Sequence, residues 1–142
     1  MAYPNPKSIR KVGIVGAGSV GAGWAALFLA HGLDVVAHDP SPGAEGFARD
    51  FVRKAWPALR ELGLTDLSDA PQGQLTFVDS IVQAVAGVDL VQENVPEKME
   101  LKESVLSEID RETGSEVIIF SSTGGIPPSK LQAACSHPQR LV

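Results

Sequence analysis

Gly16, Gly18 and Gly21 sit in the run KVGIVGAGSVGAGWA, and Asp39 closes the next apolar run, DVVAHD, 23 positions after Gly16. Glycines at this spacing suit the binding of a dinucleotide. Gly16 permits the tight turn out of a strand, Gly18 has no Cβ and lets the backbone approach a pyrophosphate, and Gly21 lets a helix pack close to the strand. The segment Gly16, Ala17, Gly18, Ser19, Val20, Gly21 would then turn its amides and the positive end of a helix dipole toward the phosphates. Asp39 would accept a hydrogen bond from a ribose 2′-hydroxyl and repel a 2′-phosphate. No basic residue follows it before Arg49, so the expected cofactor is NAD rather than NADP.

A G-x-G-x-x-G run alone is a weak signal; its context makes the difference. A strand is expected over Lys11–Val15, with β-branched Val12, Ile14 and Val15, and a helix over Ser19–His31. Val20, Trp24, Leu27 and Phe28 fall there at helical spacing, and Gly32 serves as the C-terminal cap. A second strand spans Asp34–Asp39. A second helix covers Gly43–Leu62 with an apolar stripe of Phe47, Phe51, Ala55, Leu59 and Leu62; Pro57 inside it predicts a kink or a break. Residues 63–74 read as loop and Leu75–Val78 as a short strand. Ser80–Ala86 reads as a short helix capped by Asp79 or Ser80.

Val88–Gln92 reads as a buried strand. Asn94 and Glu97 have the spacing of a capping box for the next helix, which would turn Leu101, Val105, Leu106 and Ile109 inward until Gly114 stops it. Val117–Phe120 is a further apolar strand, then the polar turn SSTGG, a short helix near Ser129–Ala134 and a strand start at Arg140–Val142. Strands alternating with helices predict an α/β Rossmann fold: a doubly wound, mainly parallel sheet with helices on both faces. Ligands of such sheets bind beyond the carboxyl ends of the strands. The small polar clusters GAGSVG, Asp39, Gln92–Asn94 and Ser121–Gly125 all fall there.

The chain has 142 residues, 44% apolar and 20% charged, enough for one domain with a core. Residues 1–10 read as an N-terminal extension and 11–142 as the cofactor domain. A net charge of −5 argues against a nucleic-acid partner. No apolar run is long enough for a membrane span, and the N-terminus has no secretion-signal pattern. The single cysteine, Cys135, allows no disulfide within the chain, which fits a cytoplasmic compartment. No metal-ligand cluster stands out. His31, His38 and His137 read as structural or solvated.

The motifs VGIVGAGSVGAGWA, VVAHD, DLVQENVPEKMELK and FSSTGG with HPQRLV occur in the order of the NAD-binding domain of the 3-hydroxyacyl-CoA dehydrogenase family, which the chain resembles from Lys11 to Val142. Within it, the stretch from Gly23 to Glu45, with AWPALRELGL, most resembles the L-carnitine dehydrogenases and also the lambda-crystallin/L-gulonate dehydrogenase branch. The resemblance implies NAD as cofactor and a small 3-hydroxy substrate oxidised to the 3-oxo level. It implies a homodimeric parent enzyme and cofactor contacts at Gly16–Gly21, Asp39, Glu97 and Lys102. Ser121, Ser122 and Thr123 would lie near the nicotinamide and substrate, with Gly124 in the cofactor contact.

The sequence departs from the family in two ways. Gly124 stands where the family usually has a serine. The family's catalytic histidine lies in a segment that would begin beyond Val142, so the chain holds no catalytic residue of its own and, read as a fragment, should bind NAD(H) with little or no turnover. The second helix has Arg49, Arg53, Lys54 and Arg60 interleaved with acids. The acyl-CoA branch places several lysines there, so a CoA substrate is less expected. The alternative reading is a stand-alone dinucleotide-binding or crystallin-like protein without catalysis. An FAD-binding domain shares the glycine motif, but DLVQENVPEKMELK argues against it.

Overall fold

The computed structural model describes residues 4–142; of the expected extension, residues 1–3 lie outside the described residues. Five strands form one parallel sheet: β1 (Lys11–Val15), β2 (Asp34–His38), β3 (Leu75–Phe77), β4 (Leu90–Glu93) and β5 (Ile118–Ser121), in the order β3-β2-β1-β4-β5. The order reverses at β1, and a crevice opens there at the carboxyl ends of the strands. Consecutive residues of β1 point to opposite faces. Ile14 packs with helices α1 (Ser19–Ala30) and α2 (Ala44–Glu61) around Leu29, Val35, Val52 and Trp56. Val15 packs on the other side with α3 (Ile81–Val85), α4 (Met99–Glu112) and α5 (Pro128–Gln132) around Val91, Leu106, Ile109 and Leu131. The expected doubly wound fold is therefore present, with helices on both faces.

Several local expectations change. In α1 the buried residues are Gly21, Ala22, Ala25, Ala26, Leu29 and Ala30, while Val20 and Trp24 of the bulky stripe are exposed. Close approach explains this, because a Cβ on Gly21 would collide with the carbonyl oxygen of Gly16; the N-terminal turns of α1 admit only glycine and alanine there, and Leu29 fits further along. α2 runs unbroken through Pro57. The proline lies on the exposed side, while Val52 and Trp56 are buried beside it, and Trp56 Nε1 donates to Leu67 O at 3.0 Å. Packing thus outweighs the one backbone donor lost. Of the two cap candidates for α3, Ser80 serves: its hydroxyl accepts from Gln83 N at 3.2 Å.

The expected capping box does not form. α4 starts at Met99 after Lys98, without a side-chain cap. Asn94 Nδ2 instead donates to Gly16 O at 3.2 Å, and Glu97 reaches the turn after β5. Val105, Leu106 and Ile109 of α4 are buried as expected, but Leu101 is exposed at 38% and lines a cleft. Arg140 closes a short 3-10 turn, Pro138–Arg140, and Leu141 then bridges Ile119 in parallel beside β5. The expected last strand is represented by that single bridge. Arg140 is fully buried and donates to the Asp110 carboxylate through Nε at 3.0 Å and Nη2 at 2.7 Å. It also donates to the carbonyls of Gly114 and Val117.

Candidate functional site

Gly16 adopts φ +89°, where L side chains are strained, and a Cβ there would also come within 2.8 Å of Asn94 C. The turn delivers Gly18 as the residue before α1, with no capping side chain. The first-turn amides of Ser19 and Val20 thus keep no helical acceptor. Nothing lies within 4 Å of a Cβ placed on Gly18. Its missing side chain therefore opens space in front of these amides rather than relieving a clash, which is what close approach of a diphosphate requires. Asp39, just after β2, accepts from Ala17 N at 2.8 Å through Oδ2 and from Ser41 N at 2.8 Å through Oδ1. Partial burial raises its pKa, but the amides of Ser41 and Ala17 outweigh this, and the carboxyl is held below 3.8. At neutral pH it is an acceptor with lone pairs left for a hydroxyl donor.

These residues line a cleft of about 580 Å³, with Gly16, Gly18, Ser19 and Val20 on one wall, Asp39 and Ser41 at one end, and Ile81, Leu101 and Val105 as an apolar wall. Ala17 and Gly21 lie behind the cleft: Ala17 is buried with its amide on Asp39, and Gly21 packs on Gly16. The apolar wall went unseen in the sequence because its members come from two different helices.

The turn after β5 forms the second part of the site. Glu97 Oε1 accepts from Gly124 N at 2.9 Å and from Gly125 N. These two amides, Gly125's foremost, pull its pKa below 4.5. Glu97 thus clamps the turn that was expected to meet the nicotinamide, and Gly124 enters through its amide. A Cβ on Gly124 would meet nothing within 4 Å, so the family's serine is missing from open space. Ser121 Oγ donates to Glu93 Oε2 at 2.5 Å and lies 2.7 Å from Thr123 Oγ1. Ser122 Oγ donates to Asn94 Oδ1 at 2.8 Å and accepts from Gln92 Nε2 at 2.9 Å.

Lys102, expected as a cofactor contact, does not line the cleft. It is fully buried, its Nζ 2.8 Å from Glu93 Oε1 and 3.1 Å from Oε2. Glu93 lies in the Gln92–Asn94 cluster expected at the strand ends, but its pairing with Lys102 nine residues on leaves no short-range pattern in the sequence. A second cleft, about 410 Å³, runs from Gln92, Ser121 and Ser122 along Trp24, Phe28 and Phe120. The histidines stand elsewhere: His31 caps α1, His38 Nδ1 faces Val78 O at 3.1 Å, and His137 lies beside Asp110 at 3.5 Å. No cluster of potential metal ligands occurs among the described residues.

A parallel sheet reversing at β1, a glycine turn opening onto bare helix amides and an acid at the end of β2 define a dinucleotide-binding domain. Residues 11–142 match the family model of the 3-hydroxyacyl-CoA dehydrogenase NAD-binding domain. The chain belongs to this family as its NAD-binding domain, and its cofactor is NAD. It is 50% identical over 134 residues to the L-carnitine dehydrogenase of Oceanobacillus iheyensis, covering 94% of this chain and 43% of that protein. It is 46% identical to the Pseudomonas aeruginosa L-carnitine dehydrogenase, covering 94% and 41%.

Among solved structures, a 5-formyl-3-hydroxy-2-methylpyridine 4-carboxylic acid 5-dehydrogenase, an NAD+-dependent dismutase, superposes with TM-score 0.83 at 43% identity, covering 94% of this chain and 43% of that one. The (S)-3-hydroxybutyryl-CoA dehydrogenase of Ralstonia eutropha gives TM-score 0.81 at 33% identity, covering 94% and 48%. The chain thus spans less than half the length of the relatives it matches.

Proposed function

We propose that this chain is the cofactor half of a dehydrogenase that oxidises a 3-hydroxy group to the 3-oxo level, with L-carnitine as the first substrate to test. The observation that carries the cofactor half is Asp39: a carboxylate held ionised in the cleft, with no lysine or arginine among the described residues lining that cleft to receive a 2′-phosphate. NAD, when bound, supplies the hydride acceptor. Gly16–Gly21 hold the diphosphate, Asp39 the adenosine ribose, and the Ser121–Gly124 turn the nicotinamide end. Glu97 serves by fixing that turn. The general base is assigned to the remainder of a longer protein of the relatives' size.

Carnitine is favoured over an acyl-CoA because three of the four basic residues of α2 are already engaged. Arg49 pairs with Glu45 and donates to Leu75 O, while Arg53 and Lys54 both pair with Asp50. We assign the whole protein to the cytoplasm as a homodimer without a nucleic-acid partner, in keeping with the lone cysteine and the −5 charge. The test is turnover of the whole protein with L-carnitine, L-gulonate and 3-hydroxybutyryl-CoA, using NAD and NADP in parallel. Carnitine turnover with NAD supports the reading; preference for the CoA ester or for NADP overturns it.

A further inference from the structure

The Lys102–Glu93 pair is the least economical feature of the fold. Both side chains are fully buried, and a buried ion pair is seldom more stabilising than apolar side chains of the same volume. Its contacts point to another role. Glu93 ends β4, and its carboxylate accepts from Val95 N at 2.6 Å, from Lys102 Nζ through both oxygens, and from Ser121 Oγ at 2.5 Å. Those four bonds use all the acceptor positions of a carboxylate that, salt-bridged, has no proton to give.

The direction of every hydroxyl proton at the turn then follows. Ser121 commits its only proton to Glu93. In the 2.7 Å contact between Ser121 Oγ and Thr123 Oγ1, the donor must therefore be Thr123. Ser122 is committed too: Asn94 Nδ2 is fixed on Gly16 O, so Asn94 Oδ1 is the acceptor of the Ser122 proton. None of the three hydroxyls keeps a free proton. Thr123, half-buried at the tip, keeps unused lone pairs and can meet a further partner as an acceptor only. The nearby amides of Gly124 and Gly125 are taken by Glu97.

We propose that the buried Lys102–Glu93 pair, acting through Ser121, makes Thr123 an obligate acceptor that receives an N–H of the nicotinamide carboxamide. This rests on the NAD reading above. A dinucleotide anchored at Asp39 and at the glycine turn has its nicotinamide end over β4 and β5, where Thr123 follows β5. An amide N–H₂ satisfies an acceptor-only hydroxyl, whereas a ketone in its place offers no donor. Thr123 thereby selects the carboxamide, and Lys102 and Glu93 are positioning residues.

The test measures binding of three probes to the full chain: NADH, its reduced 3-acetylpyridine analogue, in which a methyl ketone replaces the carboxamide, and ADP-ribose, which has no nicotinamide. The wild-type chain is expected to prefer NADH over the acetylpyridine analogue by roughly fivefold, the worth of one neutral hydrogen bond. Thr123→Val removes the acceptor and should abolish that preference while leaving ADP-ribose affinity unchanged. Ser121→Ala removes the hydroxyl between Glu93 and Thr123 while leaving both Lys102 bonds to Glu93 in place, and should reduce the preference with ADP-ribose again unchanged. No wild-type preference, a preference that survives Thr123→Val, or parallel losses for NADH and ADP-ribose overturn the proposal. If the wild-type chain binds neither NADH nor ADP-ribose, the NAD reading itself fails and this inference falls with it.

Discussion

Asp39 Oδ2 accepts the backbone N–H of Ala17 at 2.8 Å across 22 residues of sequence. The acid after β2 therefore holds the glycine turn after β1, so the residue expected to bind the ribose also shapes the loop expected to bind the diphosphate.

Asp39→Ala should therefore weaken both parts of the site. Loss of a charge-assisted acceptor for the ribose costs about 1.5–3 kcal/mol, which is at least about tenfold in NADH affinity. Fluorescence titration with NADH checks it. Unchanged affinity would mean that the ribose lies elsewhere.

The acid limb of the stability curve is fixed by carboxylates with depressed pKa values. For Asp110, burial pushes the pKa up, but the bonds from Arg140 and from the amides of Ser136 and His137 carry it below 3.8; Asp39 is likewise depressed. Groups lowered on folding add stability that is fully present above their unfolded pKa and is lost as pH falls through the folded value. Melting temperature should hold from neutral pH down to about 5 and fall once pH drops below about 4. Thermal melts across that range check this, and a melting temperature rising on acidification would contradict it.

Arg140→Met leaves Asp110 buried without its main partner and frees the carbonyls of Gly114 and Val117. Breaking a buried pair from one side costs about 3–5 kcal/mol, which for a domain of this size lowers the melting temperature by on the order of 10 °C. Differential scanning calorimetry checks the loss. A change within a degree or two would show that the buried Arg140–Asp110 pair contributes little to stability.

Gly124→Ser restores a hydroxyl to open space. With nothing within 4 Å of the added Cβ, folding should be unaffected, and the melting temperature should stay within about 2 °C of the parent, as for most surface changes. A larger drop would show that Glu97 holds the turn too tightly for a side chain.

Most of the frame was legible because it is local. The glycine spacing, the β-branched runs and the alternation of strands and helices each leave a short-range pattern, and the sheet with its reversal at β1 follows from them. What was hidden depends on which chains meet. The bulky stripe of α1 reads as its core face, but close approach to Gly16 reserves the first turns of that face for glycine and alanine. Asn94 and Glu97 have capping-box spacing, yet Gly16 O and the amides of Gly124 and Gly125 compete for them and win. The pairing of Lys102 with Glu93 emerges only when β4 and α4 are brought together.

The central claim is that the glycine turn and Asp39 form an NAD site, and Gly18→Ala tests it most directly. Alanine at Gly18 meets no neighbour, so the variant should melt with the wild type, while its new methyl group occupies the space before the helix amides. The account predicts an unchanged melting temperature with NADH affinity reduced by at least about tenfold. Equal NADH affinity in the two folded proteins would contradict it.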